Sequence, residues 1–186
     1  MNMNQKLSPK KYIISKSQEL PFHECFINES WQEQGIASLV ISRKMPSGKL
    51  ITGTYMVDTF CMGLKDTSFG FALDQHDYDK FINEMTAKIG KLVPIKLSIA
   101  HNIIYGAIDY ANEIGFNPHS DFQLTRFILD ENLIDDGIDN IEFGKNGKPF
   151  FIAGPYDDSR RIISILKRNL GDNNFDFMMP EDDFQL

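Results

Sequence analysis

Two carboxylates on either side of a glycine are the residues of this chain best suited to chemistry. Asp58 ends an apolar run, where a carboxylate costs free energy unless it is paired or hydrogen-bonded, and Asp66 follows beyond Gly63. Two carboxylates on adjacent strands, completed by a helical acid such as Asp109 or Glu113, form the oxygen-rich kind of site that binds a divalent metal. One hypothesis is therefore a divalent-metal-dependent hydrolase, for instance a nuclease acting on nucleic acid.

Two histidines are candidates for the acid and base of such a hydrolase. His101 lies among apolar residues and precedes Asp109 on one predicted helix. It is a general base oriented by that carboxylate, or a buried histidine that serves structure only. His119 precedes Asp121 at a helix start, where free backbone amides bind anions or the side chains cap the helix.

Three lysines are candidates for binding a phosphate or a partner. Lys145 and Lys148 flank a predicted hairpin tip, which is equally typical of a solvated turn. Lys65 is adjacent to the second carboxylate of the pair. In the structural alternative, Asp58 pairs with Lys65 or Arg43, or accepts hydrogen bonds from turn amides, and has no catalytic role.

The chain lacks the familiar catalytic signatures, and this absence favours a second hypothesis. There is no glycine-rich phosphate loop, no nucleophile elbow and no zinc-ligand motif. We therefore expect no cofactor, and a divalent metal only if the protein is a hydrolase. The favoured interpretation is a soluble bacterial cytoplasmic binding or adaptor protein without catalytic activity, whose partner is another protein. It predicts an exposed apolar patch rimmed by Phe175, Phe177 and the acidic tail.

The strands and helices cluster in a way that predicts an α+β fold. An N-terminal antiparallel meander precedes a central buried helix with flanking helices, a second hairpin and a C-terminal helix. An edge strand is expected over residues 21–31. The predicted meander strands are residues 36–43, 50–60 and 67–73, and the helices are residues 74–89, 96–114 and 120–129. The second hairpin covers residues 141–153 around Asn146-Gly147, the strongest two-residue hairpin turn, and the last helix ends at Gly171.

Length and charge limit the organisation of the chain. Its 186 residues suit one domain over 21–171, with a flexible segment at 1–20 and an acidic tail at 172–186. The net charge of −7 disfavours non-specific nucleic-acid binding, so nucleic acid is expected only under the hydrolase hypothesis. Two cysteines, no apolar leader and no membrane-length apolar run predict a cytoplasmic protein without membrane contact.

Several separate segments resemble a family of uncharacterised bacterial proteins over residues 22–177. The motifs are WxExGIA from Trp31, VDTFCMGLKD from Val57, HNIIYGAIDYA from His101, GFNPHSDF from Gly115, FGKNGKPF from Phe143 and GPYDD from Gly154. The resemblance implies membership of that family and brings no activity, cofactor or catalytic residue.

Overall fold

The computed structural model describes residues 7–130 and 141–179, which form an α+β fold. The strands are β1 Phe22–Asn28, β2 Ile36–Lys44, β3 Leu50–Asp58, β4 Gly63–Leu73, β5 Leu92–Pro94, β6 Phe150–Ile152 and β7 Asp176–Met178. The α-helices are α1 Pro9–Lys16, α2 Trp31–Gln34, α3 Gln75–Ile89, α4 Leu97–Ile114, α5 Phe122–Thr125 and α6 Ser159–Leu170. Within these residues no helix is long and apolar enough to cross a membrane.

The main sheet has five antiparallel strands in the order β4-β3-β2-β1-β5. The predicted meander is confirmed and is one strand longer, because β1 also pairs with β2. The prediction that β1 is an edge strand is wrong, because β1 lies between β2 and β5. Ile36 pairs with Asp58 at one end of the sheet, and Phe22 pairs with Arg43 at the other.

Helix α4 covers one face of this sheet, as predicted for the central helix. Its Ala100, Ile104 and Ala107 belong to the same buried cluster as Leu39 and Val57 of the sheet. Gly63 at the start of β4 has φ +67°, and a Cβ there would meet Ala107 O and Ala111 Cβ, each at 2.7 Å. The absence of a side chain at this position lets the strand lie directly against the helix.

Helix α3 covers part of the opposite face. Asp74 caps it by accepting a hydrogen bond from the Asp77 amide at 2.9 Å, the capping expected of this residue type. Tyr78 then contacts the Ser42 hydroxyl at 3.2 Å, at the end of the sheet away from Asp58. Met56 lies on this same face and is 38% exposed, so α3 leaves part of the face uncovered.

The C-terminal elements form a second buried cluster beside the end of α4. Phe151, Leu166 and Phe175 pack there with Cys61 and Ile114. Asp158 caps α6 by accepting a hydrogen bond from the Arg161 amide at 3.1 Å.

The second hairpin is shorter than predicted. The Asn146-Gly147 turn is present, with φ +55° and +77°, and a single bridge joins Lys145 to Lys148. Beyond that bridge the two arms separate, because the Gly144 amide bonds to Thr59 O and the Phe150 amide to Phe60 O. Strand β6 instead pairs in parallel with β7.

Both chain ends contribute more to the fold than their composition predicts. In the expected flexible segment 1–20, α1 buries Ile13, and Ser17 Oγ donates to Phe127 O at 2.6 Å. In the expected acidic tail 172–186, β7 pairs with β6 and Phe175 is buried. The described parts of these segments, residues 7–20 and 172–179, therefore pack on the rest of the fold through buried side chains.

Candidate functional site

A cleft of about 540 Å³ lies where the end of the main sheet meets the segment that joins β6 to α6. The sheet supplies its floor through β3 and β4, and the segment supplies the opposite wall. The lining residues are Gln34, Ile36, Met56, Asp58, Phe60, Lys65, Asp66, Ile152, Ala153, Gly154, Pro155, Tyr156 and Asp157. A cleft of this size, with a few polar groups among apolar ones, is typical of binding sites.

Asp58 forms the buried end of the cleft. It is the last residue of β3 and is only 4% exposed. Its Oδ1 accepts hydrogen bonds from the Phe60 and Cys61 amides, each at 3.0 Å, and so fixes the turn into β4. Burial raises the pKa of this carboxyl to about 6, although the Lys65 ammonium and the turn amides act in the opposite direction.

An ion pair holds the opposite wall of the cleft against the sheet. Met56 pairs with Asp66 and Val57 with Leu64, so Lys65 is the extra residue of a bulge in β4. Its Nζ lies 2.7 Å from Asp157 Oδ2, and both side chains are largely buried. The same oxygen accepts from the Gly154 amide at 2.9 Å. One carboxylate therefore orders the Gly154–Asp157 turn and attaches it to β4.

Exposed apolar side chains lie in the cleft and beside it. Met56 and Ile152 are 38% and 39% exposed, and Tyr156 is 99% exposed. Met178 is paired in register with Ile152, so it extends the same face of the small sheet, and it is 57% exposed. These four side chains, Met56, Ile152, Tyr156 and Met178, are the apolar rim.

The structure brings part of the predicted hydrolase site together. Asp58 and Asp66 both line the cleft, and His119 Nε2 lies 3.9 Å from Asp66 Oδ1. Asp109, by contrast, is exposed on α4. Within the described residues no three His, Cys, Asp or Glu side chains approach closely enough to hold a metal ion. The predicted metal set Asp58, Asp66 and Asp109 is therefore not assembled.

His101 belongs to the core and not to the cleft. It is buried in α4, and its Nε2 accepts a hydrogen bond from the Asp130 amide at 3.1 Å. Burial lowers the pKa of the imidazole to about 4, with the Asp130 carboxylate opposing that shift. Its hydrogen-bond partner is thus Asp130 rather than Asp109, which corrects the predicted general base and supports the structural alternative.

The remaining candidate lysines are engaged within the protein. Lys145 Nζ stands over the rings of Phe60 and Phe150, 5.4 and 5.0 Å from their centroids, in cation–π geometry. Lys148 Nζ donates to Asn173 O at 3.0 Å. Both lysines therefore attach the hairpin turn to its neighbours.

The structure adds three residues to the candidate site beyond those predicted from the sequence. Ile152, Tyr156 and Asp157 line the cleft. By residue type either Asp157 or Asp158 could cap α6, and Asp158 is the cap. Two adjacent aspartates precede this helix and only one of them can be the cap. The other was therefore the signal in the sequence for a further candidate residue. Of the two phenylalanines predicted to rim an apolar patch, Phe177 is exposed and Phe175 is buried.

No family model, curated protein or solved structure matches this chain. Membership of the bacterial family expected from the motifs stays a prediction, and function is inferred from the cleft itself.

Proposed function

We propose that this protein is a non-catalytic binding protein that recognises a polypeptide partner through the cleft and its apolar rim. The observation that carries the proposal is a concave site lined by three exposed apolar side chains, Met56, Ile152 and Tyr156, with a fourth, Met178, beside Ile152 on the neighbouring strand. Monomeric proteins seldom expose large contiguous apolar groups unless these bind something. Covering the rim would remove that apolar area from water and stabilise the complex.

The extent of the rim favours a polypeptide over a small molecule. Ile152 lines the cleft, whereas Met178 lies beside it on the neighbouring strand, outside the lining set. A ligand confined to about 540 Å³ would leave Met178 and much of Tyr156 exposed. An extended segment, with one apolar side chain in the cleft and another along the rim, would cover both. Such an apolar centre with a polar edge is the usual anatomy of a protein interface.

The polar groups of the cleft support binding better than catalysis. Lys65 is held by Asp157, and Asp58 accepts hydrogen bonds from the turn amides. Each group thereby has a structural role, and His101 does not line the cleft. A metal-dependent hydrolase would need a ligand set that the described residues do not assemble. A cytoplasmic location belongs to the same proposal, because Cys25 and Cys61 are free buried thiols.

Selection from a random peptide display library tests the proposal. Peptides would be selected on the full chain and then counter-screened on Ile152→Ser and Tyr156→Ser. Phe22→Ser is the matched control, because Phe22 is 44% exposed at the opposite end of the sheet. We expect peptides that bind the wild type and the control and lose binding to both rim variants. Selected peptides that bind all four proteins equally would contradict the proposal.

A further inference from the structure

We infer that the polypeptide segment bound in the cleft carries a lysine or arginine beside its apolar anchor. This inference rests on the proposed function and specifies the chemistry of the partner. It follows from the charges of the residues that line the cleft and from the position of Asp66 beside Met56. It also follows from the pairing of Lys65, the single ammonium of the lining, with Asp157.

The lining has an excess of negative charge. It contains three carboxyl groups, Asp58, Asp66 and Asp157, and a single ammonium, Lys65. Lys65 is paired with Asp157 at 2.7 Å, so this pair is neutral as a unit. Asp58 and Asp66 remain, and they give the cleft a potential that favours a cation.

Asp66 is the carboxylate that a cation can reach. Its side chain is 63% exposed, and the contact described for it, from Asp66 Oδ1 to His119 Nε2 at 3.9 Å, is beyond hydrogen-bond distance. Asp58 lies deeper, where backbone amides are the only described groups that donate hydrogen bonds to it. A cation near the mouth would therefore contact Asp66 directly and lie within the field of Asp58.

Asp66 is adjacent to Met56 of the apolar rim. Met56 and Asp66 are directly opposite each other in the β3–β4 ladder, where paired Cβ atoms are about 5 Å apart. A lysine side chain matches this arrangement, because its methylenes would lie along Met56 while its ammonium reaches Asp66. An uncharged apolar side chain would cover Met56 and leave the Asp66 carboxylate without a cation.

A series of three six-carbon probes separates the charge from the apolar contact. Hexylammonium, hexanol and hexanoate would be titrated into the ¹⁵N-labelled full chain at neutral pH and low salt. Dissociation constants would be measured from the amide shifts of Met56, Asp66 and Gly154. We expect hexylammonium to bind about fivefold more tightly than hexanol, the upper range for an exposed ion pair, and hexanoate to bind most weakly.

Two variants test whether Asp66 causes the preference for hexylammonium over hexanol. Asp66→Asn should remove most of the preference for hexylammonium over hexanol and leave hexanol binding unchanged. Glu84→Gln removes the same charge from the exposed surface of α3 and should change neither. Equal binding of hexylammonium and hexanol to the wild type would overturn the inferred cation and leave the proposed function standing. If no probe shifts the cleft amides, the proposed site itself is wrong.

The selected peptides test whether the cation belongs to a polypeptide. Lysine or arginine should be enriched next to an apolar residue relative to the starting library. A preference for hexylammonium without that enrichment would show that the site takes a small amine, and would contradict a basic polypeptide segment.

Discussion

Lys65 Nζ lies 2.7 Å from Asp157 Oδ2, across 92 positions of the chain, and joins the edge strand of the main sheet to the turn before α6. The contact has two consequences. It closes one side of the cleft, and it uses the single ammonium of the lining. The cleft consequently combines a fixed wall with a remaining excess of carboxylate.

The Lys65–Asp157 pair should couple energetically more strongly than a surface pair. Each of Lys65→Met and Asp157→Asn should lower the free energy of unfolding, and a double-mutant cycle in urea should give a coupling of about 1 kcal/mol, because both side chains are largely buried. The matched control is the exposed pair Lys16–Glu19, for which we expect a coupling near zero. Equal couplings for the two pairs would show that the wall is not held by this contact.

Asp58 should make stability fall as the pH rises through its titration range. Its folded pKa of about 6 is above that of an unfolded aspartate, so the folded state binds the proton more tightly. Stability relative to Asp58→Asn should therefore be greatest below about pH 4 and decline by about 2–3 kcal/mol by pH 7. Urea unfolding of both proteins across that range measures the difference, and a difference independent of pH would refute the raised pKa.

Asp58 should also reveal its structural role through a pair of substitutions. Asp58→Asn keeps an oxygen for the Phe60 and Cys61 amides, whereas Asp58→Ala leaves both without an acceptor. At neutral pH we expect Asp58→Ala to be less stable than Asp58→Asn by about 1–3 kcal/mol. Similar stabilities in thermal and urea unfolding would mean that the turn does not depend on this carboxyl.

Gly63 should be far less tolerant of a side chain than Gly48. Both have positive φ, +67° and +82°, but a Cβ at Gly63 would meet the backbone of α4 at 2.7 Å, and one at Gly48 would meet nothing within 4 Å. Gly48→Ala should therefore cost about 1 kcal/mol from backbone strain. Gly63→Ala should cost at least about 2 kcal/mol more. Comparable losses would place β4 farther from α4 than the structure does.

The elements that were predicted correctly depend on local signals. Asp74 and Gly90 bound α3, and the small residues of α4 identify it as the helix packed on the sheet. The pairing of β6 with β7 is not local, and the strong Asn146-Gly147 turn favoured the wrong partner for β6. Hydrogen bonds to Thr59 and Phe60, distant in sequence, decided the outcome.

The candidate site was predicted in part for the same reason. Asp58, Lys65 and Asp66 lie close together in sequence and share the cleft, whereas Asp157 reaches Lys65 only through the tertiary fold. His101 and Asp109 are eight residues apart on one helix, which separates their backbones by about 12 Å along its axis. His101 is buried and Asp109 is exposed. The axial distance alone could have excluded a hydrogen bond between the two side chains.

The affinity of one selected peptide tests the central claim most directly. Isothermal titration with the wild type, Ile152→Ser and Phe22→Ser compares the cleft with a similarly exposed apolar position on the main sheet, away from the cleft. We predict that Ile152→Ser raises the dissociation constant at least about tenfold, as expected for an interface anchor, and that Phe22→Ser leaves it unchanged. A dissociation constant for Ile152→Ser within about twofold of the wild-type value would contradict binding through the cleft.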